Sequence, residues 1–478
     1  MTRGIAIEKK KLLEQYFTPA KISLIMADMF STNPGQTLTV LDPCCGVGNL
    51  AAAVLTRAER KGEKSLITLI EMDKELIQTT KENFRNIPEA LIIQADFFSC
   101  VKSLPKFDRI ILNPPYTKIS SDSKLASSCK DLIGYREGNA YSAFITCSLK
   151  LLSQSGELVA IIPRSFCNGP SFKKFRRLIL EDFNIREIYL FESRKVFWES
   201  SALQEVLILK ISKTGNGVVR ISHETNSGNV STREIRNDKI SFKSDPQRFI
   251  HIPIAIDDDK LLERISRYDN TIVSLGLKAS TGKVVDFRCT KFLLSTRNKN
   301  SSPLLYQDNI HRGFVTFDPI SSSEKKRHIG KNKTSLSLLV PRENYILIRR
   351  ISFKESPTRI VAAPLLKKSY QDEYIGIENH LNYIWGEKFS LDENLCIALF
   401  AYFSTQTIDS YIRRFSGHTQ INATDLNSIP VPNITRLQAF GKAYKNIETL
   451  DIIAKAEDVF FNQAGRIDAI KNELAQHI

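Results

Sequence analysis

The chain has 478 residues, too many for one hydrophobic core and enough for two large domains. Its 67 Lys and Arg against 52 Asp and Glu leave +15 at pH 7, which favours a polyanionic partner, nucleic acid above all. No window reaches the roughly 20 apolar residues of a membrane helix, and the eight cysteines form neither a Cys-x-x-Cys pair nor a Cys/His cluster at zinc spacing, so no membrane span, disulfide frame or metal site is indicated. The opening Met1-Thr2-Arg3-Gly4, followed by Glu8 and three lysines, lacks a signal-peptide core, and a cytoplasmic protein with reduced thiols, working as a monomer, is expected.

From about residue 20 to 215 short apolar runs alternate with helical stretches, the pattern of a parallel α/β sheet. Strands are predicted at Thr37 to Leu41, Leu66 to Ile70, Ala90 to Ile93, Arg109 to Leu112, Glu157 to Ile162, Ile188 to Phe191 and Glu205 to Ile211. Helices are predicted near 20 to 30, 49 to 62, 74 to 86, 139 to 152 and 171 to 182. The Ser- and Lys-rich segment 117 to 138 interrupts the rhythm and is predicted to be a long loop, a kind of element that is usually functional. Residues 213 to 248 read as a connector or peripheral hairpin, about 250 to 435 as a mixed α+β domain, and 441 to 478 as a closing helix or helix pair. Within the second region, residues 321 to 370 hold twelve Lys and Arg against Glu324, Glu343 and Glu355. Lys325, Lys326, Arg327, Arg349 and Arg350 are the candidates there for contact with phosphates and bases.

Four predicted strands each end in residues able to meet a ligand. The first empties into Asp42-Pro43-Cys44-Cys45-Gly46-Val47-Gly48, a turn that opens a helix and turns backbone N–H groups outward. This is neither G-x-G-x-x-G nor a Gly-Lys-Ser/Thr phosphate loop, so phosphate is not its obvious guest. The second ends at Glu71, placed to accept ribose hydroxyls, and the third at Asp96-Phe97, an acceptor for an adenine amino proton beside a ring that can cover the base. The fourth ends at Asn113-Pro114-Pro115-Tyr116. Two prolines fix φ and leave the Pro114 carbonyl as an acceptor beside the Asn113 amide oxygen, with Tyr116 as an aromatic plate. Such a turn grips a planar group bearing an NH2; by itself it suits an adenine, a cytosine or a glutamine amide.

Together with Tyr16-Phe17-Thr18-Pro19, these positions resemble the amino-group DNA methyltransferases in the gamma arrangement, with target recognition C-terminal. The resemblance covers roughly residues 10 to 212. It implies a Rossmann-like S-adenosylmethionine-binding domain over 1–245, a mixed α+β target-recognition domain over 246–440, and a helical segment over 441–478. It assigns Tyr16, Thr18, Asp42, Cys44, Gly46, Glu71, Asp96 and Phe97 to the cofactor, Asn113, Pro114, Pro115 and Tyr116 to catalysis, and Phe197 to stacking against a flipped base. Ser280 to Arg288, Pro303 to Gln307 and Arg414 to Leu426 look like the recognition domain of the PstI-like modification methylases of type II restriction-modification systems. Cys44-Cys45 departs from the more usual small residues of the first motif; cysteine is small enough to keep the turn.

The function implied is methyl transfer to N6 of a flipped-out adenine in duplex DNA, protecting host DNA from a separate cognate restriction endonuclease. N4-cytosine methylation, methylation of a release-factor glutamine amide and rRNA methylation are the alternatives. The long basic C-terminal region disfavours the release-factor enzyme, which is a much shorter chain.

Overall fold

The computed structural model describes residues 18–120, 123–193, 205–243, 245–317, 325–352, 356–415 and 420–462. The chain divides into two units, Met1–Ser241 with Arg248–Ile254, and Phe242–Gln247 with Ala255–Ile478.

Among the described residues the first unit is built on nine strands: β1 (Thr37–Asp42), β2 (Lys64–Glu71), β3 (Ala90–Gln94), β4 (Phe107–Leu112), β5 (Leu152–Pro163), β6 (Asn184–Phe191), β7 (Val206–Ser212), β8 (Val218–Glu224) and β9 (Val230–Arg236). They lie in the order β3-β2-β1-β4-β5-β7-β6-β8-β9. β1 to β5 are mutually parallel, with Leu41 opposite both Thr68 and Ile110. The expected all-parallel sheet is corrected at β7, which runs antiparallel to β5 and β6. Every residue of β7 is buried, and a continuous apolar run is what a strand covered on both faces shows in either direction. β8 and β9 form a hairpin at the edge.

Glycines bound the helix Asn49–Lys61: Gly48 before it (φ 90°) and Gly62 after it (φ 66°), conformations in which a Cβ is costly. From its buried face Leu50, Ala51, Ala53 and Val54 join the core with Val40 and Leu41 of β1. Asp73 caps the helix Lys74–Asn83, its Oδ1 accepting from Glu75 N at 2.8 Å and Leu76 N at 3.2 Å. The segment expected as a loop over 117 to 138 contains a helix, Lys124–Ile133, capped by Ser123 and ended by Gly134 at φ 82°. The segment's ends are tied together by a Lys118–Asn139 bridge and by Ile119 N donating to the Gly138 carbonyl at 3.1 Å.

The second unit has two main sheets. One is antiparallel throughout, Leu277–Thr281, Leu381–Gly386, Tyr345–Arg349 and Ala362–Leu365 in that order. The other orders Leu293–Leu294, His328–Gly330, Ser301–Leu305, Tyr374–Ile377 and Leu339–Pro341. The helix Glu393–Phe403 is buried on nearly every side. Tyr402 within it donates to the Pro430 carbonyl at 2.7 Å. Phe440, Ile452, Ile453, Ala456 and Phe460 pack into the same apolar cluster as this helix. Residues 441 to 462 cluster with the second unit, and the helix Ile434–Tyr444 spans position 441. Among the described residues no helix is long and apolar enough to cross a membrane.

A buried ion cluster pins the amino-terminal part of β4 in the first unit. The Glu63 side chain is 0% exposed and accepts from Arg57 Nη1 at 2.5 Å, Arg109 Nη1 at 2.7 Å and Arg109 Nη2 at 3.0 Å. Burial pushes this carboxyl up, but the Arg109 guanidinium and the Asn33 N–H hold it at about 2. A depressed carboxyl contributes stability that is complete above its ordinary value of 4.5 and is lost as pH falls toward 2. Glu63→Gln leaves two buried guanidinium groups short of charge and is expected to lower the unfolding free energy by about 3–5 kcal/mol. Urea midpoints measured across that pH range should also fall less steeply in the variant than in the parent.

Candidate active site

Because β1 to β4 run parallel, Asp42, Glu71, Gln94 and Leu112 end on one edge of the sheet. β1 and β4 are neighbours at the point where the strand order reverses, the crevice in which open α/β sheets bind ligands.

The turn after β1 is held by its surroundings. Cys45 N donates to the Ile70 carbonyl at 3.0 Å. Thr80 Oγ1 donates to the Gly46 carbonyl at 2.6 Å and Asn83 Nδ2 to the Val47 carbonyl at 3.0 Å. Gly46 has φ 56°. A Cβ on Gly48 would lie 2.4 Å from Phe84 Cε2, so this position needs glycine for space as well as for its φ of 90°. Glu71 gathers three backbone donors: Gly46 N reaches Oε2 at 3.0 Å, while Met72 N and Asp73 N each reach Oε1 at 2.9 Å.

Asp42 is 1% exposed. Its Oδ1 accepts from Cys44 N at 3.3 Å, and its Oδ2 accepts no hydrogen bond among the described residues. Burial, with the Glu71 charge adding to it, pushes the Asp42 carboxyl up to about 8. Burial and the same two carboxylates push the Cys44 thiol up, so it is no thiolate nucleophile. The Glu71 carboxylate beside the Asp42 carboxyl, at a turn of backbone donors, disfavours phosphate and suits a ligand bearing positive charge.

Asn113 is clamped from two sides. Its Nδ2 donates to Thr18 Oγ1 at 3.1 Å and its Oδ1 accepts from the Tyr116 hydroxyl at 3.0 Å. Its carbonyl faces Cys44 Sγ at 3.6 Å. Thr18, 4% exposed, is anchored in turn by Asn49 Nδ2, which donates to the Thr18 carbonyl at 3.0 Å. Pro114 is buried and Pro115 half-buried. Tyr116 is 9% exposed, its hydroxyl also 3.2 Å from the Ile161 carbonyl and its ring edge-on to Tyr141 at 6.2 Å. The Tyr116 ring is thus packed, with its polar end on the amide of Asn113.

Asp96 is exposed and caps the short helix Phe97–Cys100 through Phe98 N at 3.2 Å. Phe97 is 2% exposed and stacked on Phe144 at 5.5 Å. Tyr16 and Phe197 lie outside the described residues. Two members of this edge were missed in the sequence. Asn139 donates to the Tyr116 carbonyl at 3.1 Å while capping the helix Ala140–Lys150 through Tyr141 N, and the Asn before a helical run is the signal that identifies it. Met72, directly after Glu71, is 70% exposed.

In the second unit the candidate DNA contacts are largely tied to their own fold. Arg327 pairs with Asp308 at 2.8 Å, and Lys325 lies 3.5 Å from the same carboxylate and 4.9 Å from the Tyr306 ring centroid. Arg349 donates twice to the Ile310 carbonyl, and Arg350 Nη1 donates to the Asn379 carbonyl at 3.1 Å. Lys326 is exposed, its carbonyl accepting from the Tyr306 hydroxyl at 3.1 Å.

The sheet order with its reversed β7 and the acid-lined turn at the β1–β4 edge fit an S-adenosylmethionine-dependent methyltransferase. Residues 14–197 match the family described as Eco57I restriction-modification methylase. The chain is 35% identical to type II methyltransferase M.BsuBI of Bacillus subtilis over 492 residues, 97% of this chain and 97% of that protein. It is 33% identical to type II methyltransferase M.PstI of Providencia stuartii, over 97% of this chain and 93% of that protein. The type IIL restriction-modification enzyme MmeI in complex with DNA aligns over 96% of this chain and 72% of its own, at 13% identity and a TM-score of 0.49. The chain belongs to the type II methyltransferases of restriction-modification systems. It is a DNA methyltransferase, and S-adenosylmethionine is its cofactor.

A cation settling against Asp42 draws its raised carboxyl back to the ionised form. Binding of S-adenosylmethionine at pH 7 is therefore expected to release a proton, an effect that fades as pH rises past about 8. Calorimetry in buffers of different ionisation enthalpy reads this release directly. Asp42→Asn should abolish it, and equal proton release by the variant would remove Asp42 from the cofactor site.

Proposed function

We propose that this DNA methyltransferase modifies N6 of adenine, that the adenine is turned out of the duplex, and that Asn113 to Tyr116 receive its amino group. The observation that carries the reading is the clamp on Asn113. With Nδ2 committed to Thr18 Oγ1, the amide orientation is set and Oδ1 faces the Tyr116 hydroxyl. An amide oxygen can accept two hydrogen bonds, so Oδ1 can take an amino proton while Tyr116 holds it in place. The Pro114 carbonyl supplies the second acceptor.

The N6 lone pair of adenine is delocalised into the ring and attacks poorly. Two acceptors fixed on one rigid turn pull its protons out of the ring plane and so favour the tetrahedral geometry in which that lone pair can react. S-adenosylmethionine supplies the electrophilic methyl group, on a sulfonium. Asp42 and Glu71, with the backbone donors of the Cys44–Gly48 turn, would hold it, and Thr18 would pack over it from the side that also positions Asn113. Asn113 is neutral and acts as an acceptor, not as a base, so the surplus proton leaves after methyl transfer. A base inside the duplex cannot reach this edge, and unpairing it costs a few kcal/mol that contacts with the extruded base offset.

Phe97 and Asp96 divide their expected roles. Asp96 is exposed at the edge and suits the cofactor's amino group; Phe97 supports the floor through Phe144. Met72 is the open apolar surface beside Glu71 and suits one face of the cofactor base.

Asn113→Ala is expected to abolish methyl transfer to duplex DNA while S-adenosylmethionine still binds. Tyr116→Phe keeps the ring and removes one hydrogen bond to Oδ1. It should lower kcat by about tenfold or more, roughly 1.4 kcal/mol of lost orientation, with little change in KM for the cofactor. Full activity of Asn113→Ala in single-turnover assays would sink the mechanism.

A further inference from the structure

The strand Leu277–Thr281 ends at Gly282, whose N–H donates to the Leu381 carbonyl at 2.8 Å. A Cβ there would lie 2.1 Å from the Glu378 carbonyl oxygen, so the two backbones approach this closely only at glycine. Val284 N donates to the Ile377 carbonyl at 3.0 Å, and Asn379 N donates back to Val284 at 2.9 Å. The loop 282–292 is thereby laced to the strand Tyr374–Ile377 and the turn that follows it.

On this fixed base stands a large apolar side chain that the unit leaves in water: Phe287 is 70% exposed. The one-turn helix Asp286–Arg288 carries it, and Phe287 N donates to Asp286 Oδ1 at 2.7 Å, so the local carboxylate is engaged by backbone. One cation faces the ring and two more share its loop. The Arg288 guanidinium lies 5.4 Å from its centroid, and the Lys291 ammonium lies 4.9 Å from the ring of Phe292. Lys283 is exposed, with its ammonium 3.5 Å from the Ser337 carbonyl. An exposed aromatic ring on a loop fixed by backbone hydrogen bonds and carrying three cations matches a partner that offers stacked flat rings between rows of negative charge.

We propose that Phe287 is a wedge with which the second unit enters the base stack of duplex DNA, with Lys283, Arg288 and Lys291 on the flanking phosphates. This rests on DNA being the substrate and adds the surface that grips it. Apolar side chains inserted at a base step kink the duplex and widen the contact, and the neighbouring cations supply affinity that depends on salt and not on sequence.

The test uses the full chain and duplexes carrying its methylation site. Phe287→Ala is expected to lose at least tenfold in kcat/KM for the duplex, with S-adenosylmethionine affinity and thermal midpoint unchanged. Phe287→Leu, still a wedge, should recover most of it. The combined Lys283→Gln, Arg288→Gln, Lys291→Gln variant should weaken binding to all duplexes and reduce the slope of log affinity against log salt by about 2–3. Parental kcat/KM in Phe287→Ala, with the parent active on DNA, would overturn the proposal. So would a change in sedimentation without a change in DNA kinetics, which would assign Phe287 to contact with a second copy of the chain. A parent inactive on every duplex would instead withdraw the DNA reading on which the wedge stands.

Discussion

The site depends on the pairing of β1 with β4. Leu41 stands opposite Ile110, so the two strands deliver Asp42 and Asn113 to one edge, and the Cys44 thiol then meets the Asn113 carbonyl. The turn after β1 and the turn after β4, the proposed cofactor and catalytic turns, are held in one frame. The remaining connections tighten this frame: Asn49 holds Thr18, Thr18 holds Asn113, Asn113 receives Tyr116, and Asn139 holds the Tyr116 backbone. The proposed reaction needs orientation far more than acid–base chemistry, and a linked set of neutral hydrogen bonds suits it.

Charge is distributed in the same spirit. At the carboxyl edge Asp42 has an unsatisfied oxygen and a raised carboxyl, a local cost that the proposed cationic cofactor would relieve. Below them in the sheet, Glu63 is saturated by two buried arginines and contributes stability. The first carboxyl suits the proposed cofactor binding and the second serves folding, and their opposite shifts follow from the absence or presence of a guanidinium partner.

Much of the first unit was legible because parallel strands are short apolar runs separated by helices, and because Asp42, Glu71, Asp96 and Asn113 each follow such a run. The direction of β7 was not, since a strand buried on both faces carries no mark of its sense. The helix Lys124–Ile133 was hidden by its serines and lysines, which read as loop until Ser123 and Gly134 are recognised as its two ends. In the second unit the strands run from two to six residues and gain their stability from distant partners, so their pairing is invisible locally. The same limit explains the basic stretch: counting charges marked Arg327 and Arg349, whereas their guanidinium groups are engaged with Asp308 and the Ile310 carbonyl. Tyr116 was recognised as an aromatic; that its hydroxyl sets the Asn113 amide needed coordinates.

The central claim is that the amino group received by Asn113 and Pro114 belongs to adenine. Duplex DNA incubated with the protein and isotopically labelled S-adenosylmethionine, then digested to nucleosides and resolved by mass spectrometry, reports the acceptor atom directly. The account predicts label in N6-methyldeoxyadenosine alone, and label in N4-methyldeoxycytidine would contradict it.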